Sequence, residues 1–185
     1  MPFAYYERLS ADGQAVYRAS DAVTSLRLAG ASALVPLVDE IRASLDRDDR
    51  RALERAAARL VRALCAAFDV HAPAVEVLAV RPTFTGGELH GLYTARPDGR
   101  AAIHVWMRTA RHARVVAFKT FLRTLLHEVG HHLDVHVLGL PVSFHTEGFF
   151  KRESSLFHQL VPGAPRRRSR PNAEPPSGRS LPEHE

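Results

Sequence analysis

Residues 115–134 constrain the fold more than any other stretch, because two patterns are superimposed in them. Val115, Phe118, Leu122, Leu125, Val129 and Leu133 recur at the spacing of one helical face, and no Gly or Pro interrupts the run from Val115 to Leu126. His127 and His131 are four residues apart, so they lie one turn from each other on nearly the opposite side. Thr120 and Thr124 share that second face. The expected helix has an apolar side for a core and a polar side carrying two imidazoles.

The segment His127-Glu128-Val129-Gly130-His131 reads H-E-x-x-H. On a helix this spacing lets His127 and His131 meet one metal ion, while Glu128 reaches beside the ion and suits a general base acting on water. The bare motif arises by chance often enough that the helical context is what gives it weight.

Two His do not complete such a centre, and a third protein ligand is expected. His145, Glu147 and Glu153 follow the helix, with Asp134 and His136 nearer. His136 lies about 140° around the helix from His131 and points elsewhere. Asp134 is placed either to orient a ligand or to face solvent. Val137 occupies the position where a metzincin needs its third ligand, which excludes that class. In the last expected helix Phe149, Phe150, Leu156, Phe157 and Leu160 form one stripe with Glu153 at its centre. A carboxylate there needs a partner, so Glu153 is either a ligand or an acceptor for a ligand His. His145 lies at the stripe's edge, and Glu147 lies off it, suited to the helix N-terminus. The helix pattern alone favours Glu153.

The rest of the chain predicts an α+β fold: N-terminal helices, a small antiparallel sheet, the H-E-x-x-H helix and a second helix. Ser10 caps an expected helix running to about Leu28, and Gly30 breaks it. A second helix carries Leu34, Val38, Ile41 and Leu45. A third, capped by Asp48 or Asp49, carries Leu53, Ala57, Leu60, Leu64 and Phe68. Val75, Val77 and Ala79 alternate as in a strand, and residues 83–87 read as a loop. Residues 89–95 and 101–107 read as a hairpin joined through Pro97-Asp98-Gly99. Ile103 to Met107 is a candidate edge strand for an extended peptide. Gly139 and Pro141 end the H-E-x-x-H helix, and Thr146 caps the last one, which runs to about Leu160.

With 185 residues and 45% apolar content, one domain with a sizeable core is expected. It spans 1–161, as a helical N-terminal part (1–72) and a catalytic part (73–161). Residues 162–185, rich in Pro, Ser, Arg and Glu, are expected to be a disordered basic tail. Cys65 is the only cysteine, which excludes an internal disulfide and suits the reducing cytoplasm. No signal peptide or membrane-spanning run is recognised. The net charge is +5, with Arg-rich segments at Arg108–Arg114 and Arg166–Arg170 that allow nucleic acid as a partner.

Together, His127-Glu128-Val129-Gly130-His131 and, after 13 residues, His145-Thr146-Glu147-Gly148-Phe149-Phe150-Lys151 resemble the SprT-like and WLM-like group of minimal zinc metalloproteases. The resemblance covers about residues 115–160, with Phe149 in the place of an aromatic four residues beyond the third ligand. It implies Zn2+ held by His127, His131 and His145, with Glu128 as catalytic base; Glu153 in the core stripe departs from the group's pattern, and the stripe alone leaves it as an alternative ligand or a support for one. The implied activity is peptide-bond hydrolysis, sometimes on DNA-associated proteins. Two other classes stay open: a zinc hydrolase of a non-peptide bond, and a metal-stabilised regulatory or nucleic-acid-associated module without turnover.

Overall fold

A computed structural model describes residues 2–96 and 98–164. The fold is α+β. Its helices are α1 (Ala11–Ala22), α2 (Val35–Asp46), α3 (Arg50–Ala67), α4 (Phe118–His136) and α5 (Glu147–Leu160). Its strands are β1 (Ala74–Val80), β2 (Thr83–Phe84), β3 (Gly87–Glu88), β4 (Gly91–Ala95) and β5 (Ala101–Arg108). The caps are those the sequence predicts. Ser10 accepts from the Gly13 amide, Asp49 from Ala52 and Thr146 from Phe149, at 3.1, 3.0 and 3.0 Å.

The apolar stripes meet in one core. Leu53, Leu60 and Leu64 of α3, Val77 of β1, Ile103 and Val105 of β5, Leu122, Leu125 and Val129 of α4, and Leu156 of α5 are fully buried in one cluster. That arrangement turns the other side of α4, with its imidazoles, away from the core.

The sheet departs from the expected antiparallel arrangement. Its strand order is β1-β5-β4. β4 and β5 form the expected antiparallel hairpin, with Tyr93 opposite Ile103, but β1 lies parallel to β5, with Val77 opposite Val105. The sheet is therefore mixed. β5 is its centre, as its buried run of Val105, Trp106 and Met107 requires of a strand covered on both faces. Ile103 to Met107 is thus no edge, and β4 borders the site instead. The expected loop at 83–87 contains the short antiparallel pair β2-β3, turned by Gly86 at φ 112°.

Two helix boundaries also differ. α4 starts at Phe118 because Val115 still bridges to Arg108, and the Val116 amide donates to the Met107 carbonyl at 2.9 Å. α1 stops at Ala22, short of Leu28. Arg152 takes the carbonyls of Ser20 in α1 and of Val23 just past its end, at 2.6 and 2.5 Å. The Gln159 side chain then bonds the Leu26 carbonyl and the Leu28 amide at 2.9 Å each. Side chains of α5 thus satisfy the backbone groups that a longer helix would have paired internally. Leu26 and Leu28 reach the core from extended chain.

Among the described residues no helix is long and apolar enough to cross a membrane. The expected tail falls almost wholly on 165–185, outside the described residues.

Candidate metal centre

α4 brings His127 and His131 to one face, and the 137–146 loop returns His145 to them ahead of α5. The His145 Nε2 lies 3.0 Å from the Nε2 of His127 and 3.1 Å from that of His131. Among the described residues this is the one group of three His, Cys, Asp or Glu side chains whose donor atoms all lie within 4.8 Å of one another. Glu147 is at the exposed start of α5, paired with Lys151 at 2.7 Å. His136 is also outside the cluster, its ring tilted against that of His132 with centroids 4.3 Å apart.

Glu153 sits behind His127. Its Oε2 is 3.3 Å from the His127 Nδ1, and its Oε1 is 3.3 Å from Arg123. Arg123 is itself held over the Phe157 ring at 4.0 Å. A carboxylate only accepts, so this contact puts the His127 proton on Nδ1 and leaves the Nε2 lone pair facing the cluster.

Phe149 is the floor of the site. Its ring centroid lies 4.9, 4.8 and 5.4 Å from those of His127, His131 and His145. Gly130 makes room for it: a Cβ there would meet two Phe149 ring carbons at 3.1 Å. Phe150 stacks on His145 at 5.8 Å, and the Tyr5 hydroxyl donates to the His145 carbonyl at 2.9 Å.

Glu128 points to the β4 side. Burial pushes its carboxyl pKa up to about 7, against the opposing charge of His127 and a hydrogen bond from the Tyr93 main chain. Gly91 on β4 is what lets it fit. A Cβ at 91 would stand 2.8 Å from both Cγ and Cδ of Glu128, and nearer still to Oε1. Gly91→Ala should therefore push the carboxylate aside while leaving the imidazoles in place. We expect any turnover that needs Glu128 to fall ~100-fold with the metal content unchanged, since a displacement of about 1 Å is enough for that. Kinetics beside elemental analysis of this variant check it. Unaltered turnover would mean that Glu128 acts elsewhere or not at all.

In the protein alone, burial and then the charge of His127 push His145 down to about 4. Burial, then His127 and His145, also lower His131. Both therefore offer neutral, lone-pair nitrogens at neutral pH. His127 is raised, because Glu153 and the charge of Glu128 outweigh its burial. The three Nε2 atoms converge, and each lone pair there needs either a proton, which the raised pKa of His127 favours, or a cation. A metal ion at ~2.05 Å from each of three tetrahedral nitrogen ligands would space them at ~3.3 Å. The observed 3.0 and 3.1 Å are close to that, so the donor set fits a metal ion.

Sequence reasoning missed two groups, Ser143 and Arg152, and left Asp134 open between orienting a ligand and facing solvent. The Ser143 Oγ lies 2.8 Å from the His131 Nδ1 and donates to the Asp134 Oδ2 at 2.8 Å. Asp134, fully buried, is met by Arg152 at 2.7 and 2.9 Å. Arg152 shares the apolar stripe of α5, four residues before Leu156 and three after Phe149. A cation there demanded a buried acid, and that was the available signal; Ser143 had none. Within the Arg108–Arg114 segment, read as basic, Arg108 is tied locally: it pairs with Asp48 and bonds the Ala113 carbonyl. Arg166–Arg170 lie outside the described residues. Comparison of the chain with protein-family models, with curated proteins and with solved structures finds no match.

Proposed function

We propose that the chain is a zinc-dependent peptidase of the minimal SprT-like or WLM-like kind, acting in the cytoplasm on polypeptide. The observation that carries this reading is the convergence of three imidazole Nε2 atoms beside a buried, Gly91-cradled glutamate. His127, His131 and His145 would hold the ion. The chemistry such an ion supplies when bound is Lewis acidity towards a scissile carbonyl and easier deprotonation of water near neutral pH.

The chain's own residues do the rest. Glu128, with a pKa near 7, takes a proton from water and returns it to the leaving amine. The Tyr93 main chain and Gly91 hold its carboxylate in place. Glu153 fixes the tautomer of His127. Among the described residues β4 has a strand on its β5 side only, so its other edge offers main-chain groups to an extended peptide. The net charge of +5 suits an acidic or nucleic-acid-associated polypeptide.

The test is metal removal. The full chain should cut a peptide mixture prepared from denatured protein. Chelation should reduce that to background, and about one equivalent of zinc per chain should restore it, given one three-ligand centre. Cleavage indifferent to chelation would contradict the reading.

A further inference from the structure

The contacts around His131 run further than a ligand and its neighbour, and their donors and acceptors permit one direction only. Arg152 donates from one nitrogen to both Asp134 oxygens, at 2.7 and 2.9 Å, and the two side chains are 3% and 1% exposed. Burial pushes the Asp134 pKa up and the facing Arg152 charge pulls it back, and a contact this close with a guanidinium holds Asp134 as a carboxylate, which only accepts. The Ser143 hydroxyl, 2.8 Å from the Asp134 Oδ2, must therefore spend its one proton there. Towards His131 it presents a lone pair, so the His131 Nδ1, 2.8 Å away, must be the donor. The Nε2 of His131 is then bare, and it faces His145.

Arg152 is aimed in turn by α1. Its NH1 donates to the carbonyls of Ser20 and Val23, and its NH2 lies 3.0 Å from the Ser20 Oγ. Ser20 also meets the Thr146 hydroxyl at 3.3 Å, and Asp21 accepts from the Gly148 amide at 2.7 Å. The fit is tight: a Cβ on Gly148 would strike the Asp21 and Ser20 carbonyl oxygens at 2.6 and 2.7 Å.

We propose that Ser143, Asp134 and Arg152 are positioning residues that fix His131 as its Nδ1–H tautomer, and that the end of α1 is a working part of the metal centre through them. α1 then serves the site rather than only covering the core. His127 gets its tautomer from Glu153 by one contact, and His131 gets the same tautomer from a separate chain rooted in the N-terminal part. The functional meaning rests on the metal-centre reading; the tautomer itself does not.

The test uses the metal-free full chain with 15N-labelled histidine. NMR correlations within each ring report which nitrogen carries the proton. Wild-type His131 should show the proton on Nδ1 alone. Ser143→Ala leaves the Asp134–Arg152 pair in place, so the fold survives, and His131 should move towards the Nε2–H form. Zinc affinity, by competition titration, should fall ~10–100-fold, as for loss of other groups that orient a ligand. Ser143→Thr retains the hydroxyl and should restore both readouts. A wild-type His131 protonated on Nε2, or a Ser143→Ala protein with unchanged tautomer and affinity, would overturn the proposal. The expected tautomers without any zinc uptake would sink the metal-centre reading and leave the relay standing.

Discussion

His145→Ala is expected to lower the bound zinc from about one ion per chain to near none, because two imidazoles from a protein do not make a closed or catalytic zinc site. His145 supplies one of the three converging nitrogens, and nothing else in the cluster can replace it. Glu153 is committed on the far side of the His127 ring, to Nδ1 and to Arg123. The fold should survive the change. Tyr5 holds the 145 position by its carbonyl, and the Thr146 cap of α5 does not involve the imidazole. Elemental analysis of the purified variant checks this, with Glu153→Gln alongside. The second protein should keep most of its zinc and show only a ~10–100-fold weaker affinity. If Glu153→Gln were empty and His145→Ala full, the centre would be a glutamate-liganded one and the role given to His145 would be wrong.

The elements that could be read from the sequence are those set by local pattern. The six apolar positions from Val115 to Leu133 face the core or its margin, and His127 and His131 fall on the other side, as helical periodicity requires. The caps at Ser10, Asp49 and Thr146 follow from side chains that compete for free amides. What could not be read depends on residues far apart in the chain. Whether Ile103 to Met107 is an edge or a centre is decided by where β1 docks, and alternation within one strand does not carry that. α1 ends early because Arg152, 132 residues beyond Ser20 and 129 beyond Val23, takes the carbonyls of both. The place of Glu128 depends on Gly91, whose missing side chain looks like ordinary strand weakness until the helix is laid against it. Asp134 was legible as a helix residue next to the motif, but its burial depends on a partner in α5.

The largest expected effect on turnover belongs to Glu128→Gln. The substitution keeps the size of the side chain and removes its ability to accept a proton. Glu128 is buried against β4 and is not among the three converging donors, so its loss should leave metal binding intact. General-base assistance contributes ~10²–10⁴-fold, and the variant should lose at least that much. The most direct measurement compares new peptide N-termini produced from one denatured-proteome digest by zinc-loaded wild type and by zinc-loaded Glu128→Gln, at matched metal content. The account predicts many new termini from the wild type and a background-level number from the variant. Equal cleavage by both proteins would remove Glu128 from the chemistry, and no cleavage by a zinc-loaded wild type would contradict a peptidase.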